Sequence, residues 1–173
     1  MTATLLSMAF SAAVALTGST RPVDNNHILI YGKVLEIIPQ EMKEIPGESV
    51  QVMIYQEDEL YVAFNTDDKG KYEFNLPVEH NYTIVFGTEN YVAKRVTIDA
   101  HALSDRKTGH AVKLDMGIFK PVEGVDFSFL EAPIASFYFQ QEVGQIAPDE
   151  DYSFKMAKQM RKCYKQILKA SGT

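Results

Sequence analysis

Two adjacent carboxylates, Asp67 and Asp68, stand in the stretch NTDDKGKYEFNLP and are the first residues whose type and spacing suggest chemistry. Calcium takes about six to eight oxygens around one loop. Here only two carboxylates and a few carbonyls are on offer, without the Asp-x-Asp-x-Asp-Gly spacing of a calcium loop. As an acid/base pair they would need surroundings that drive their pKa values apart, which neighbours on an exposed hairpin tip rarely have. The expected structure is therefore a turn. Asp67 bonds its own backbone and Gly70 supplies the left-handed conformation of the hairpin exit, leaving at most a weak calcium site at Asp67 and Asp68.

The other chemical groups are scattered. His27, His80, His101 and His110 show no ligand spacing, and a transition-metal site takes about three or four such ligands. His101 and His110 flank ALSDRKTG and meet only if that loop closes into a hairpin. No Gly-x-Ser-x-Gly elbow is present. Cys163, the only cysteine, has no intrachain partner and falls on an apolar helical stripe, where it acts as a small hydrophobe. No catalytic residue, cofactor or metal is assigned.

The C-terminal segment carries more information. From Asp149 the apolar residues Tyr152, Met156, Met160, Cys163, Tyr164, Ile167 and Leu168 recur at three and four, which predicts an amphipathic helix over 149–170. Asp149, Glu150 and Asp151 sit at its start, as the helix dipole favours. Beyond them the polar side is wholly basic: Lys155, Lys158, Arg161, Lys162, Lys165 and Lys169. Two readings stay open. Met156, Met160 and Tyr164 pack on the chain's own domain with the charges in water. Alternatively Met156, Met160 and Tyr164, with Lys158, Arg161 and Lys165, dock on a partner protein or lie on an anionic membrane surface.

Period-two alternation dominates from Ile28 onward. Val50, Val52 and Ile54 alternate with polar neighbours, as do Leu60, Val62 and Phe64, then Tyr72, Phe74 and Leu76, then Tyr82, Ile84 and Phe86. Val92, Lys94, Val96 and Ile98 continue the series with Arg95 and Thr97 between them. With HILIYGKVL before and AVKLDMGIF after, this predicts a mainly β fold, a seven-stranded antiparallel sandwich over 25–119. The aromatic-rich stretch 120–148, with Phe127, Phe129, Phe137, Tyr138 and Phe139, reads as a strap or hairpin.

At 173 residues the chain is long enough for one domain with an appendage. A net charge of −6 argues against general nucleic-acid binding, which needs a basic surface. The N-terminal run from Leu5 to Leu16, followed by small residues, has the length of a signal-peptide core, although no Lys or Arg precedes it. Residues 1–24 are therefore expected to be a signal peptide or an exported N-terminal segment, and the protein to be periplasmic, cell-surface or secreted.

The run ILIYGKV, GESVQVMIY, FNTDDKGKYEFNLP and NYTIVFGTENYVAKRVTID resembles the carboxypeptidase regulatory-like domains, a prealbumin-like sandwich group related to transthyretin. Gly32-Lys33-Val34, the turn Thr66 to Tyr72, Leu76-Pro77, Tyr82 and Asn90-Tyr91 carry the likeness over Ile28 to about Ile118. Asn90-Tyr91 stands where such domains commonly have Gly-Tyr. The tail from Phe119 looks like segments of exported envelope proteins of Bacteroidetes-type bacteria. The resemblance implies a non-catalytic structural or protein-interaction module of a bacterial cell envelope, with an envelope protein as partner. It does not imply peptidase activity, since no His-x-x-Glu zinc pair occurs. Related hydrolases end in Tyr-Arg-Gly-Ser, whereas this chain ends KASGT, which removes support for a hydrolase. An isopeptide crosslink of the kind found in some adhesin repeats has only Lys33 and Asp115 in suitable positions, and Lys33 alternates away from Ile30 and Val34. A carbohydrate-binding module, with Tyr55, Tyr61 and Tyr91 stacking on sugars, is the alternative function.

Overall fold

The computed structural model describes residues 26–101 and 109–170; the expected signal segment 1–24 lies outside them. In chain order the strands are β1 (His27–Ile38), β2 (Lys43–Pro46), β3 (Gln51–Gln56), β4 (Glu59–Asn65), β5 (Lys71–Pro77) and β6 (Asn81–Gly87). β7 (Lys94–Asp99), β8 (His110–Lys113), β9 (Met116–Ile118), β10 (Ala135–Gln140) and β11 (Gln145–Pro148) follow, and the chain closes with helix α1 (Glu150–Ala170).

Alternation forces two faces on each strand, and burying the apolar face gives a sandwich. β1 lies at the centre of one sheet, with β5 and β2 on one flank and β8 and β9 on the other. The second sheet runs β11-β10-β7-β6-β3-β4. Ile28, Ile30, Ile54, Leu76, Tyr82, Ile84, Phe86 and Ile98, from inward positions of both sheets, are fully buried between them.

The mainly β sandwich with a C-terminal helix is thus present, but its pairing is mixed rather than wholly antiparallel. β1 pairs parallel with β8 and β9, and β10 pairs parallel with β7. Alternation reports which face of a strand is buried and carries nothing about the direction of its neighbour. Long connections let the chain return in the same sense. Nine strands occur among the described residues of 26–119, against the expected seven, and the stretch read as a strap or hairpin supplies β10 and β11. AVKLDMGIF divides into β8 and β9 because Leu114 donates its N–H to Tyr31 (2.9 Å) and Asp115 turns to cap Lys33. β2 is four residues long with only Ile45 half-buried, too short to show a period. In the aromatic stretch, Val125, Phe127 and Phe129 belong to a loop and a 3-10 turn (Ser128–Glu131) packed on the core. ASFYFQ forms β10, which pairs with β11 and widens the second sheet.

Candidate interaction surface

Helix α1 begins where Asp149 accepts the Tyr152 N–H on its side chain (2.9 Å) and the Ser153 N–H on its carbonyl (2.9 Å). This supplies two of the first-turn donors with partners. The Asp149 N–H in turn donates to the Ser136 carbonyl of β10 (2.8 Å), and the Tyr152 hydroxyl to the Pro133 carbonyl (2.5 Å), so the helix start is fastened to the second sheet. From there α1 packs across β10 and the short turn Pro39–Glu41.

Its apolar stripe faces the chain's own core. Met156, Cys163 and Ile167 are buried, while Met160 and Tyr164 are half-buried, with the Tyr164 ring 5.5 Å from that of Phe119. Lys158, Arg161 and Lys165 are exposed on the opposite side. The Lys158 ammonium lies 4.5 Å over the exposed Phe154 ring. The structure thus separates the six expected contact residues into an inner set, Met156, Met160 and Tyr164, and an outer set, Lys158, Arg161 and Lys165.

Beneath the helix is a residue whose placement alternation implies but whose chemistry it conceals. Lys94 opens β7 in the inward phase shared with Val96 and Ile98 and is 4% exposed. Its ammonium donates to the Gly117 carbonyl and sits 4.8 Å over the Phe119 ring. Loss of water around the charge lowers its pKa to about 7, and the nearby Cys163 opposes that shift. Burial likewise pushes the Cys163 thiol upward, with Lys94 acting against it. A charged residue at an inward strand position was the available sequence signal.

The Asp67-Asp68 turn proves to be architecture. The Asp67 carboxylate accepts the N–H groups of Lys71 (2.7 Å) and Lys69 (2.9 Å), which hold its pKa below the usual carboxylate range. Gly70 has φ +71°, and a side chain there would collide with the Val34 carbonyl. Its own carbonyl accepts the Val34 N–H (2.7 Å), so the turn braces β1. Asp68 is exposed at the tip. Among the described residues, no three His, Cys, Asp or Glu side chains gather as metal ligands.

The histidines are likewise separate. His80 stands edge-on to Tyr82 (6.1 Å), His101 bonds Asp99 (2.9 Å) in solvent, and His110 is buried against Phe139 (6.0 Å). An open groove of about 510 Å³ lies on the outer face of the first sheet, lined by Tyr31, Lys33, Lys71, Glu73, Lys113 and Asp115 among others. There Asp115 meets Lys33 through the backbone N–H (3.0 Å) and ion-pairs with Lys113 (2.9 Å), so the contact between Lys33 and Asp115 is not one of amine to carboxyl. The three tyrosines considered for sugar stacking share no platform. Tyr55 and Tyr61 lie toward the Tyr82 end of β6, where Tyr61 packs on Tyr82 (6.4 Å). Tyr91 follows the Gly87 end, beneath the Lys120 ammonium (5.4 Å).

No family model matches the chain, and no curated protein matches it. Among solved structures it is similar to the minor pilin of Streptococcus agalactiae, at 11% identity over 58% of this chain and 48% of that one, with a TM-score of 0.41. It is also similar to 3-chlorocatechol 1,2-dioxygenase from Rhodococcus opacus 1CP, at 12% identity over 56% and 60%, TM-score 0.39. A third is the shaft pilin of Lactobacillus rhamnosus GG, at 12% over 56% and 51%, TM-score 0.35. This chain therefore spans about half to three-fifths of those proteins. Likeness at this level assigns neither activity nor partner.

Proposed function

We propose that the protein is an exported, non-catalytic interaction module of a bacterial cell envelope that meets an anionic partner protein through the outer face of α1. The observation that carries this reading is charge segregation. In a chain of net charge −6, α1 holds six basic residues against two acidic ones, and the two acidic ones are confined to its first turn. Because the apolar stripe is occupied by the sandwich, the outer face is left to act by charge, which favours fast, salt-sensitive association. No helix among the described residues is long and apolar enough to cross a membrane, so α1 would work from a surface. The carboxypeptidase regulatory-like resemblance and the N-terminal run support export and a structural role.

The test is crosslinking in intact cells, with a tag in the exposed turn Gln141 to Gly144. The expected result is one stoichiometric acidic envelope protein, lost when Lys158, Arg161 and Lys165 are all changed to Glu while the melting temperature holds. Unaltered recovery of that protein from the triple variant overturns the reading. Binding to anionic vesicles without any protein partner would replace it with membrane-surface attachment.

A further inference from the structure

Helix α1 is attached to the sandwich by different means along its length. Its start is tied by hydrogen bonds, from the Asp149 N–H to the Ser136 carbonyl and from the Tyr152 hydroxyl to the Pro133 carbonyl. Farther along, the attachment is apolar: Met156, Cys163 and Ile167 are buried, and Tyr164 packs on Phe119. That part of the helix holds only as well as its apolar stripe suits what lies beneath.

What lies beneath includes an amine. Lys94 has the Gly117 carbonyl and the Phe119 face as partners, and among the described residues no carboxylate lies within ion-pairing distance of it. An ammonium held dry without a counter-ion is costly, whereas a neutral amine there is tolerated. Two states relieve the cost. Either the amine sheds its proton under the closed helix, or it keeps the proton and reaches water, which requires the Cys163 side of α1 to move away.

We propose that α1 is a proton-sensitive cover: uptake of a proton by the Lys94 amine favours a form in which the helix lifts from about Met156 onward, turning about its fastened start. The sign follows from linkage. Closed, the amine releases its proton at about 7, whereas lifted it has the ordinary lysine value of 10.5. The lifted form therefore gains on the closed one as pH falls from 10.5 to about 7, and gains little below. The other titratable groups here are Cys163 and Tyr164 on α1, both pushed upward by burial, and Asp126, which acts on Cys163 and is held low by the Ser128 N–H. These three change charge outside pH 6 to 8. Glu44 of β2 acts on Tyr164, and His110, buried against Phe139 of β10, is of the side-chain type that titrates near neutrality. Both remain when Lys94 is replaced, which separates their effects from its own. The inference does not depend on what the outer face of α1 meets.

Hydrogen exchange of the full chain, read by mass spectrometry at pH 6 and pH 8 and corrected for the intrinsic pH dependence of amide exchange, tests it. A lifted segment of roughly fifteen residues does not hold a helix on its own, so its amides exchange. Exchange over Met156 to Leu168 is expected to be about tenfold faster at pH 6 than at pH 8 after correction. It is also faster than exchange over β6 at both pH values, because lifting leaves the sandwich folded. Lys94→Met, an apolar chain of similar length, removes the pH dependence. Three results overturn the proposal: corrected exchange over Met156 to Leu168 that does not change with pH, a pH dependence that survives in Lys94→Met, or equal rates over α1 and β6. The last would mean that the helix leaves only when the whole chain unfolds.

Discussion

Lys94 and Lys158 both set an ammonium over a phenylalanine ring, at 4.8 Å over Phe119 and 4.5 Å over Phe154, yet they are opposite cases. Lys158 keeps its charge in water on the outside of α1. Lys94 lies under the same helix, with the Gly117 carbonyl and the Phe119 face to compensate for lost hydration. The lesson is that solvent, rather than the local pair, sets what a lysine costs. The inner side of α1 covers a dehydrated amine on β7, while the outer side displays charge freely.

The largest effect on this contrast comes from removing the inner ring. Phe119→Ala is expected to destabilise the protein by about 3–5 kcal/mol, because Phe119 is fully buried against Lys94, Phe127 and Tyr164. Urea unfolding measures it, and a loss under 1 kcal/mol, about the cost of an ordinary surface change, would show the helix is held elsewhere.

Next comes the charge itself. Lys94→Met should stabilise the protein at pH 7 by about 2 kcal/mol, as hydrophobic replacement of a buried charge often does. The sign of the pH dependence follows from the depressed pKa. Between about 7 and the ordinary lysine value of 10.5 the unfolded chain holds a proton that the folded chain lacks, so wild-type stability rises with pH there and is flat below. Cys163 on α1 is the titrating neighbour, itself influenced by Asp126, and its raised pKa acts above about 9. The informative window is therefore pH 7 to 9, where the advantage of Lys94→Met should shrink by about 2–3 kcal/mol. Parallel curves for the two proteins across that window would mean Lys94 stays charged and hydrated.

The smallest effect is the control on the outer side. Lys158→Ala should change stability by no more than about 0.5 kcal/mol, since an exposed cation on an exposed ring is worth little. A loss similar to that expected for Phe119→Ala would abolish the distinction between the two faces.

The same contrast explains what was legible beforehand. The helix stripe reads directly, because three-and-four spacing leaves Met156, Cys163 and Ile167 no other common face. The Asp67 to Gly70 turn reads equally well, since its residue types match its dihedrals. Lys94 falls within the inward series yet gives no sign that it is dry, because Phe119 and Cys163 are brought over it from sequence-distant segments. The exposure of Leu60 and Val62 was hidden too: their alternation with Phe64 matches that of an interior strand.

The sequence by itself determined most of the sandwich strands, the bracing turn and the two-sided helix, because periodicity and turn chemistry are local properties of the chain. Only the tertiary structure decided that β8, β9 and β10 enter parallel, that α1 covers its own sandwich, that Lys94 lies beneath it and that β4 remains the open edge. Those depend on which distant segments meet, and neighbour identity leaves no period in the sequence.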